Sequence, residues 1–319
     1  MKRFWRELGI AILMGMVLPT LILHLMVEFA TGKTAQSPAT EPTLAPQKSV
    51  SVPVRTEDGI TMMDLNEYLT GVVLAEMPVS FEQEALKAQA VVARTYTLRA
   101  QAGKQKHGEA PVCTDATCCQ GYWEPEEYLT AGGKTEGLEK IRNAVIGTSG
   151  YVLTYGGELI EATYFSCSGG RTEDALAVWG TEVPYLKSVE SPGEENAVHY
   201  TDRVYFTASE LEQKLSITFP ENRDSWTGGV TYTAGGGVAS IRIGDKSFNG
   251  TELRKLLGLR STAFRIRAED DGLTFETRGY GHRVGMSQYG ADAMALDGHT
   301  YEEILAHYYP GTQLEFRTD

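Results

Sequence analysis

The sequence predicts an α+β protein with an N-terminal transmembrane helix and a core mixed α/β domain that carries a smaller inserted subdomain. Three observations predict this. An apolar stretch of membrane-spanning length stands near the start, helix-capping patterns gather toward the two ends of the remainder, and short strand-like runs lie between them. Strands and helices are grouped rather than strictly alternating, which favours α+β over a doubly wound sheet.

Residues Leu8 to Val27 read LGIAILMGMVLPTLILHLMV, about the length a helix needs to cross a bilayer core. Lys2, Arg3 and Arg6 precede the stretch, so the N-terminus is expected in the cytoplasm and everything after Val27 outside. The expectation is a single-pass protein of the cell membrane, with residues 1–30 as cytoplasmic tip and anchor. A cleaved signal peptide is the rival, and Glu28-Phe29-Ala30 matches its small-residue cleavage site poorly. Residues 31–48 are rich in Thr, Ser, Ala, Pro and Gln, with Pro38, Pro42 and Pro46 evenly placed. That composition is too polar to pack and reads as an extracytoplasmic linker.

Three capping boxes mark helix starts in the globular part. Asp64 with Glu67 opens DLNEYLTGVVLA, where Leu65, Tyr68, Leu69, Val72 and Val73 recur at helical spacing. Ser80 with Gln83 opens a long Ala-rich helix, FEQEALKAQAVVARTYTLRAQAG. Thr300 with Glu303 opens YEEILAHYYPGT, stopped by Pro310-Gly311. Strands are expected at Tyr151–Tyr155, Leu159–Phe165 and Ala239–Gly244. Residues 199–258 hold a helical stretch (Ser209–Leu215), a hairpin around Gly228–Gly244 with three consecutive glycines, and a short helix at Thr251–Leu257. This segment is read as the inserted subdomain, which leaves 49–198 and 259–319 as the core domain.

The charge balance is acidic, Lys+Arg 29 against Asp+Glu 42, with no basic run. Nucleic acid is therefore excluded as a partner, because phosphate binding leaves a clustered Lys/Arg footprint. A mostly uncharged polymer such as a glycan is not excluded. Glu76 lies just before Met77-Pro78, and Pro78 disfavours helical geometry at Met77, so the first helix should end at about Glu76. A carboxylate there meets the negative end of the helix dipole and apolar sequence neighbours. Both would favour its protonated form, as a general acid requires. From local sequence alone, a solvated glutamate at a helix end is the simpler reading.

The segment HGEAPVCTDATCCQ packs His107, Cys113, Cys118 and Cys119 together. Adjacent Cys118 and Cys119 pair poorly with each other, and a Cys113 disulfide to either leaves an odd thiol. One imidazole and three thiolates make a four-ligand zinc site. A disulfide stays open as the alternative, since an extracytoplasmic compartment permits it. A zinc peptidase would want an open metal position and a HExxH-like arrangement, and neither is present.

The run AEMP followed by EALKAQAVVARTY resembles the sporulation stage II protein D (SpoIID/LytB-domain) family. So do YFSCSGGRTEDA, VWGTEVPYLKSVESP and GYGHRVGMSQYGADAMALDG, followed by HYYPGT. The blocks stand in the family's order across nearly all of residues 49 to 312. Arg283 departs from the usual GHGVGMSQ, and Cys167 stands where small hydroxyl residues are usual.

The resemblance implies a peptidoglycan lytic transglycosylase with Glu76 as acid/base. It would leave 1,6-anhydro ends on N-acetylmuramic acid during septal wall remodelling and engulfment in sporulation. Tyr164, Ser166, Ser168, His282, Ser287 and Gln288 would line the glycan groove, and Trp179 and Tyr289 are further rings for sugar stacking or for the core. The Cys/His cluster resembles the zinc site of some family members. The resemblance also implies peptide-stripped strands as substrate and a membrane complex with a wall amidase and a membrane protein. The rival from another class is a non-catalytic glycan-binding or amidase-enhancing wall module.

Overall fold

The computed structural model describes residues 50–103 and 106–317. The expected anchor and linker, residues 1–48, lie outside the described residues. Among the described residues no helix is long and apolar enough to cross a membrane. What is described is a mixed α/β architecture of short helices and small sheets.

The hairpin of β1 (Ser51–Thr56) and β2 (Gly59–Asp64) leads straight into α1 (Leu65–Glu76). Asp64 Oδ1 accepts from the backbone N–H groups of Asn66 and Glu67, which starts the helix as expected. Leu65, Tyr68, Leu69, Val72 and Val73 turn inward. Met77 is extended ahead of Pro78, and the helix ends at Glu76.

The long helix α2 (Gln83–Ala102) starts later than the Ser80 box predicts. Phe81 N–H closes a turn onto Pro78, and Glu82, not Ser80, caps the helix without a side-chain bond. A tertiary contact replaces the local one: Glu82 N–H donates to Asp292 at 2.7 Å. Small residues on α2 (Ala85, Ala88, Ala90, Ala93) are fully buried, so neighbouring helices can approach closely.

Four elements follow in order: β3 (Val112–Cys113), α3 (Pro125–Thr130), α4 (Thr135–Gly147) and β4 (Tyr151–Tyr155). Buried Arg94 of α2 donates to the carbonyls of Val145 (2.9 Å) and Thr148 (2.7 Å), which satisfies the C-terminal end of α4. The strand expected over Leu159–Phe165 is two pieces, β5 (Glu158–Leu159) and β6 (Tyr164–Phe165). β5 extends the sheet of β4, whereas β6 leaves it to pair elsewhere, so the run must break between them. The short helix α5 (Ala175–Trp179) follows, capped by Asp174.

A second apolar cluster has its own elements: β7 (Thr201–Thr207), α6 (Ala208–Leu215), β8 (Thr227–Tyr232), β9 (Val238–Ile243), β10 (Lys246–Phe248), α7 (Gly250–Leu257), β11 (Ala263–Ala268) and β12 (Gly272–Arg278). Its core runs from Phe206 through Leu253 to Phe275. The boundary expected at residue 258 therefore cuts this unit. β12 pairs with both β11 and β7, so Phe264, Leu273 and Phe275 belong to the second core and not to the first. Thr207 and Glu210 form a reciprocal capping box at the start of α6.

The chain then returns to the first core with β13 (Met286–Ser287), α8 (Gln288–Leu296), α9 (Tyr301–Tyr308) and β14 (Gln313–Phe316). β13 runs parallel to β6 and β14 antiparallel to β4. The Thr300–Glu303 box opens α9 as expected. Three segments thus meet: the end of α1, β6, and the β13–α8 junction.

Candidate active site

A cleft of about 520 Å³ opens where these segments meet. Glu76, Tyr164, Ser166, His282, Gln288, Cys118 and Cys119 all line it. The structure thus brings together residues from four separate blocks of the sequence. Glu76 is half-buried at the C-terminal end of α1. Its Oε1 accepts the Gly121 N–H at 2.7 Å, and its Oε2 lies 3.4 Å from the Gln288 side-chain amide. Gln288 is the first residue of α8, so its position is set by the Ser287 cap behind it.

Tyr164 sits on β6 beside the carboxylate. Burial, followed by the negative charge of Glu76, pushes its phenol well above the ordinary range, so it stays protonated. Its hydroxyl also lies 3.4 Å from the carbonyl oxygen of buried Gln120.

His282 Nδ1 accepts the Val284 N–H at 3.1 Å, and its ring also bonds the Tyr164 backbone. Burial, and then Arg254, bring its pKa down to about 4, so the ring is neutral at ordinary pH. Phe165 and Trp179 pack against it with ring centroids 5.6 and 5.5 Å away. Trp179 remains 42% exposed and offers a ring to the solvent side of the site. Tyr289 instead packs edge-on against Phe81 in the core.

The cysteine cluster forms one wall. Cys113 lies in β3, held by pairing to β1, and Asp115 then turns the chain by accepting the backbone N–H groups of Cys118 and Cys119. The ligand atoms of His107, Cys113, Cys118 and Cys119 all lie within 4.8 Å of one another. His107 Nε2 is 3.3 Å from Cys119 Sγ and 3.7 Å from Cys118 Sγ. Tetrahedral bonds of about 2.0–2.3 Å would place such ligands roughly 3.5–3.8 Å apart. The residues therefore fit a closed four-coordinate ion, and three thiolates select a thiophilic one. None of the four cysteines is in a disulfide.

Ser168 and Ser287 do not line this cleft. Both are fully buried, and both donate their hydroxyls to Glu194. Glu194 Oε2 also accepts the N–H groups of Ser168 (2.8 Å) and Gly169 (2.9 Å), and Oε1 accepts the Ser191 hydroxyl at 2.7 Å. These serines shape the turn and the α8 cap rather than contact a sugar. Their hydroxyls satisfy a carboxylate that would otherwise be buried without donors.

Arg283 is likewise structural. Its φ is 66°, the left-handed region that suits the glycine usual at this place. Its side chain is buried and bonded to Glu173 Oε1 (3.1 Å), Ser168 O (2.6 Å), Arg171 O (2.7 Å) and Gly235 O (2.6 Å). Glu173 Oε1 in turn accepts the Gly237 N–H at 2.9 Å. The pair therefore ties the 168–171 turn to the glycine-rich loop of the second cluster. Sequence reading missed Glu194, Glu173 and Gly121. Gly121 lies two residues after the cysteine pair and Glu173 inside the YFSCSGGRTEDA block, yet nothing in either local context marks its role.

Residues 55–155 match the family model described as stage II sporulation protein. The chain is 38% identical to the stage II sporulation protein D of Bacillus subtilis (strain 168), across 98% of this chain and 96% of that protein. It is 37% identical to the protein of the same name from Bacillus amyloliquefaciens, across 96% and 93%. The amidase enhancer of Bacillus subtilis is 31% identical across 77% of this chain and 40% of its own length. With such identity over nearly the full length of two relatives, the chain belongs to the stage II sporulation protein D family.

Proposed function

We propose that this chain is a lytic transglycosylase that cuts peptidoglycan between N-acetylmuramic acid and N-acetylglucosamine, with Glu76 as acid and then base. The observation that carries this reading is that Glu76 is the one carboxylate among the described residues lining the cleft. Glycoside hydrolysis ordinarily uses two carboxylates, roughly 5–10 Å apart. A single one suits attack by the substrate's own C6 hydroxyl. Glu76 gives its proton to the glycosidic oxygen as the bond to C1 breaks. It then takes the C6 hydroxyl proton as that oxygen closes on C1, leaving a 1,6-anhydro end.

The chain's other residues orient this step. The Gly121 N–H and the Gln288 amide fix the carboxylate, and the protonated Tyr164 phenol stands beside it. His282 spends its nitrogens on backbone and holds β6 against the 280–284 turn. His107, Cys113, Cys118 and Cys119 are read as zinc ligands, and a bound zinc ion would supply a structural clamp with no open coordination position. The substrate is read as peptide-stripped strands outside the cell, reached from a membrane anchor in residues 1–30. The partners are a wall amidase and a membrane protein in septal remodelling during sporulation.

Mass spectrometry of muropeptides after digestion tests the reaction. Anhydro-ended products from the parent and none from Glu76→Gln are expected. Reducing muramic acid ends would replace the reading with hydrolysis. The name of the relative called amidase enhancer favours a second reading, stimulation of an amidase without cutting. It predicts that Glu76→Gln stimulates an amidase as well as the parent does.

A further inference from the structure

The fold assembles a basic face that a chain of net charge −13 hides. The sheet order is β11-β12-β7. Side chains alternate across a sheet, and Phe206, Phe264, Leu273 and Phe275 fill the second core. The opposite face therefore carries Arg203 from β7, Arg265 from β11, and Glu276 and Arg278 from β12. Register sets Glu276 between Arg203 and Arg265, with Arg278 on the same face two residues along.

A cavity of about 930 Å³ lies over this face, walled by Tyr232 at the end of β8, by Gly235 and Gly236 of the glycine-rich loop and by Gly169. Its volume is at the upper end of what ligand sites offer, roughly 300–1,000 Å³. Most of its charges are already paired. Arg203 meets Glu276 at 2.8 Å, Asp202 meets Arg260 at 3.4 Å, and Arg283 meets Glu173 at 3.1 Å. Arg265 and Arg278 are exposed and have no carboxylate within ion-pair distance among the described residues. As diagonal neighbours on adjacent strands they stand about 7–8 Å apart at the backbone, and Glu276, which borders both, is held by Arg203.

The cavity adjoins the acid cleft. Arg278 lines the one and Tyr280, two residues on, lines the other, and reciprocal backbone hydrogen bonds with Cys167 hold Tyr280 in place. Gly279 turns the chain between Arg278 and Tyr280 at φ 82°, and two residues span at most roughly 7 Å at the backbone, so the arginines lie within a few sugar lengths of the cleft. The guanidinium fork matches a carboxylate bidentately. On a glycan strand the available carboxylate is the lactyl group of muramic acid. While a stem peptide is attached, that carbon is an uncharged amide, and peptide removal frees it as an anion.

We propose that Arg265 and Arg278 form a carboxylate-binding subsite, outside the acid cleft, for the free lactyl groups of peptide-stripped glycan. This rests on reading the protein as acting on glycan, but not on its cutting it. The subsite would distinguish stripped from unstripped strands by charge.

The test measures binding by the full chain carrying Glu76→Gln, so that strands stay intact. Three probes are used: stripped strands, the same strands with their carboxylates converted to methylamides, and poly(glycerol phosphate). Stripped strands should bind about tenfold or more tightly than amidated ones, as losing a charged hydrogen-bonded contact implies. Arg265→Gln/Arg278→Gln should abolish that difference while leaving affinity for amidated strands unchanged. A double variant that keeps the preference, or loses affinity for both strands equally, overturns the proposal. So does poly(glycerol phosphate) outcompeting stripped strands for the same arginines. Cleavage by the Glu76 parent is scored separately. No cleavage with the carboxylate preference intact would remove the transglycosylase reading and leave the subsite standing.

Discussion

The backbone N–H of Gly121 points at Oε1 of Glu76 across 2.7 Å, and Gly121 follows Cys119 by two residues. The cysteine-bearing loop and the proposed acid are therefore one mechanical unit. A Cβ built at Gly121 would lie 3.1 Å from that oxygen and 3.3 Å from Ala75 Cβ, tighter than ordinary contact.

Glu76→Gln should fold as the parent does, bind stripped glycan, and cut it about a hundred- to ten-thousand-fold more slowly, the usual weight of a general acid–base. Glu82→Gln and Glu84→Gln serve as controls at the start of α2 and should cut at near-parent rates. Single-turnover release of anhydro ends measures all three. Parent-like cutting by a folded Glu76→Gln removes the mechanism.

Elemental analysis should find one zinc per chain, and chelation should lower both the melting temperature and the activity, because thiolate binding is coupled to folding. Gly121→Ala should keep its zinc and its melting temperature within a few degrees and still lose activity, since its methyl group crowds Glu76. A Gly121→Ala with full activity would uncouple the loop from the acid.

The His282 pKa lies near 4 in the fold against 6.5 for an unperturbed ring. Between those values the unfolded chain binds the extra proton, so stability is full above pH 6.5 and falls as pH drops toward 4. The loss is about 3 kcal/mol at its largest. His282→Asn should flatten that part of the stability profile in chemical denaturation run from pH 7 to pH 4.

Arg283→Ala strands Glu173 in the interior, where breaking a buried pair costs about 3–5 kcal/mol. Arg283→Gly relieves the left-handed backbone yet leaves the same stranded charge, so it should recover only part of that. Adding Glu173→Gln to Arg283→Gly should recover more. Urea midpoints for the three variants rank them, and a milder effect of Arg283→Ala than of Arg283→Gly would contradict the assignment.

A membrane anchor in residues 1–30, as proposed, predicts that full-length protein stays in the membrane fraction after an alkaline wash and keeps its residue 1–30 peptides. An N-terminus beginning near Thr31 in that fraction would show cleavage instead.

Legibility in the sequence followed locality. The Asp64 cap, the Pro78 stop behind Glu76 and the Thr300 box were readable because each works within four residues. The gathering of His107, Cys113, Cys118 and Cys119 was readable because the four lie within residues 107 to 119. Ser168 and Ser287 were misplaced because their true partner, Glu194, is 26 and 93 residues away. No feature of Ser-Pro-Gly-Glu-Glu marks Glu194 as buried. The four arginines facing the larger cavity come from three strands and a turn, so a search for basic runs passes over them.

The cleft also has a schedule. Glu76 stands in the first quarter of the chain, while Gln288, which touches it, is 212 residues downstream. β6 is completed only by β13, 122 residues later. Contacts of such separation close late, after the local helices have formed. A chain emerging N-terminus first therefore presents its proposed acid long before the opposite wall exists. Truncation anywhere before α8 should yield inert protein, however well α1 and α2 are formed.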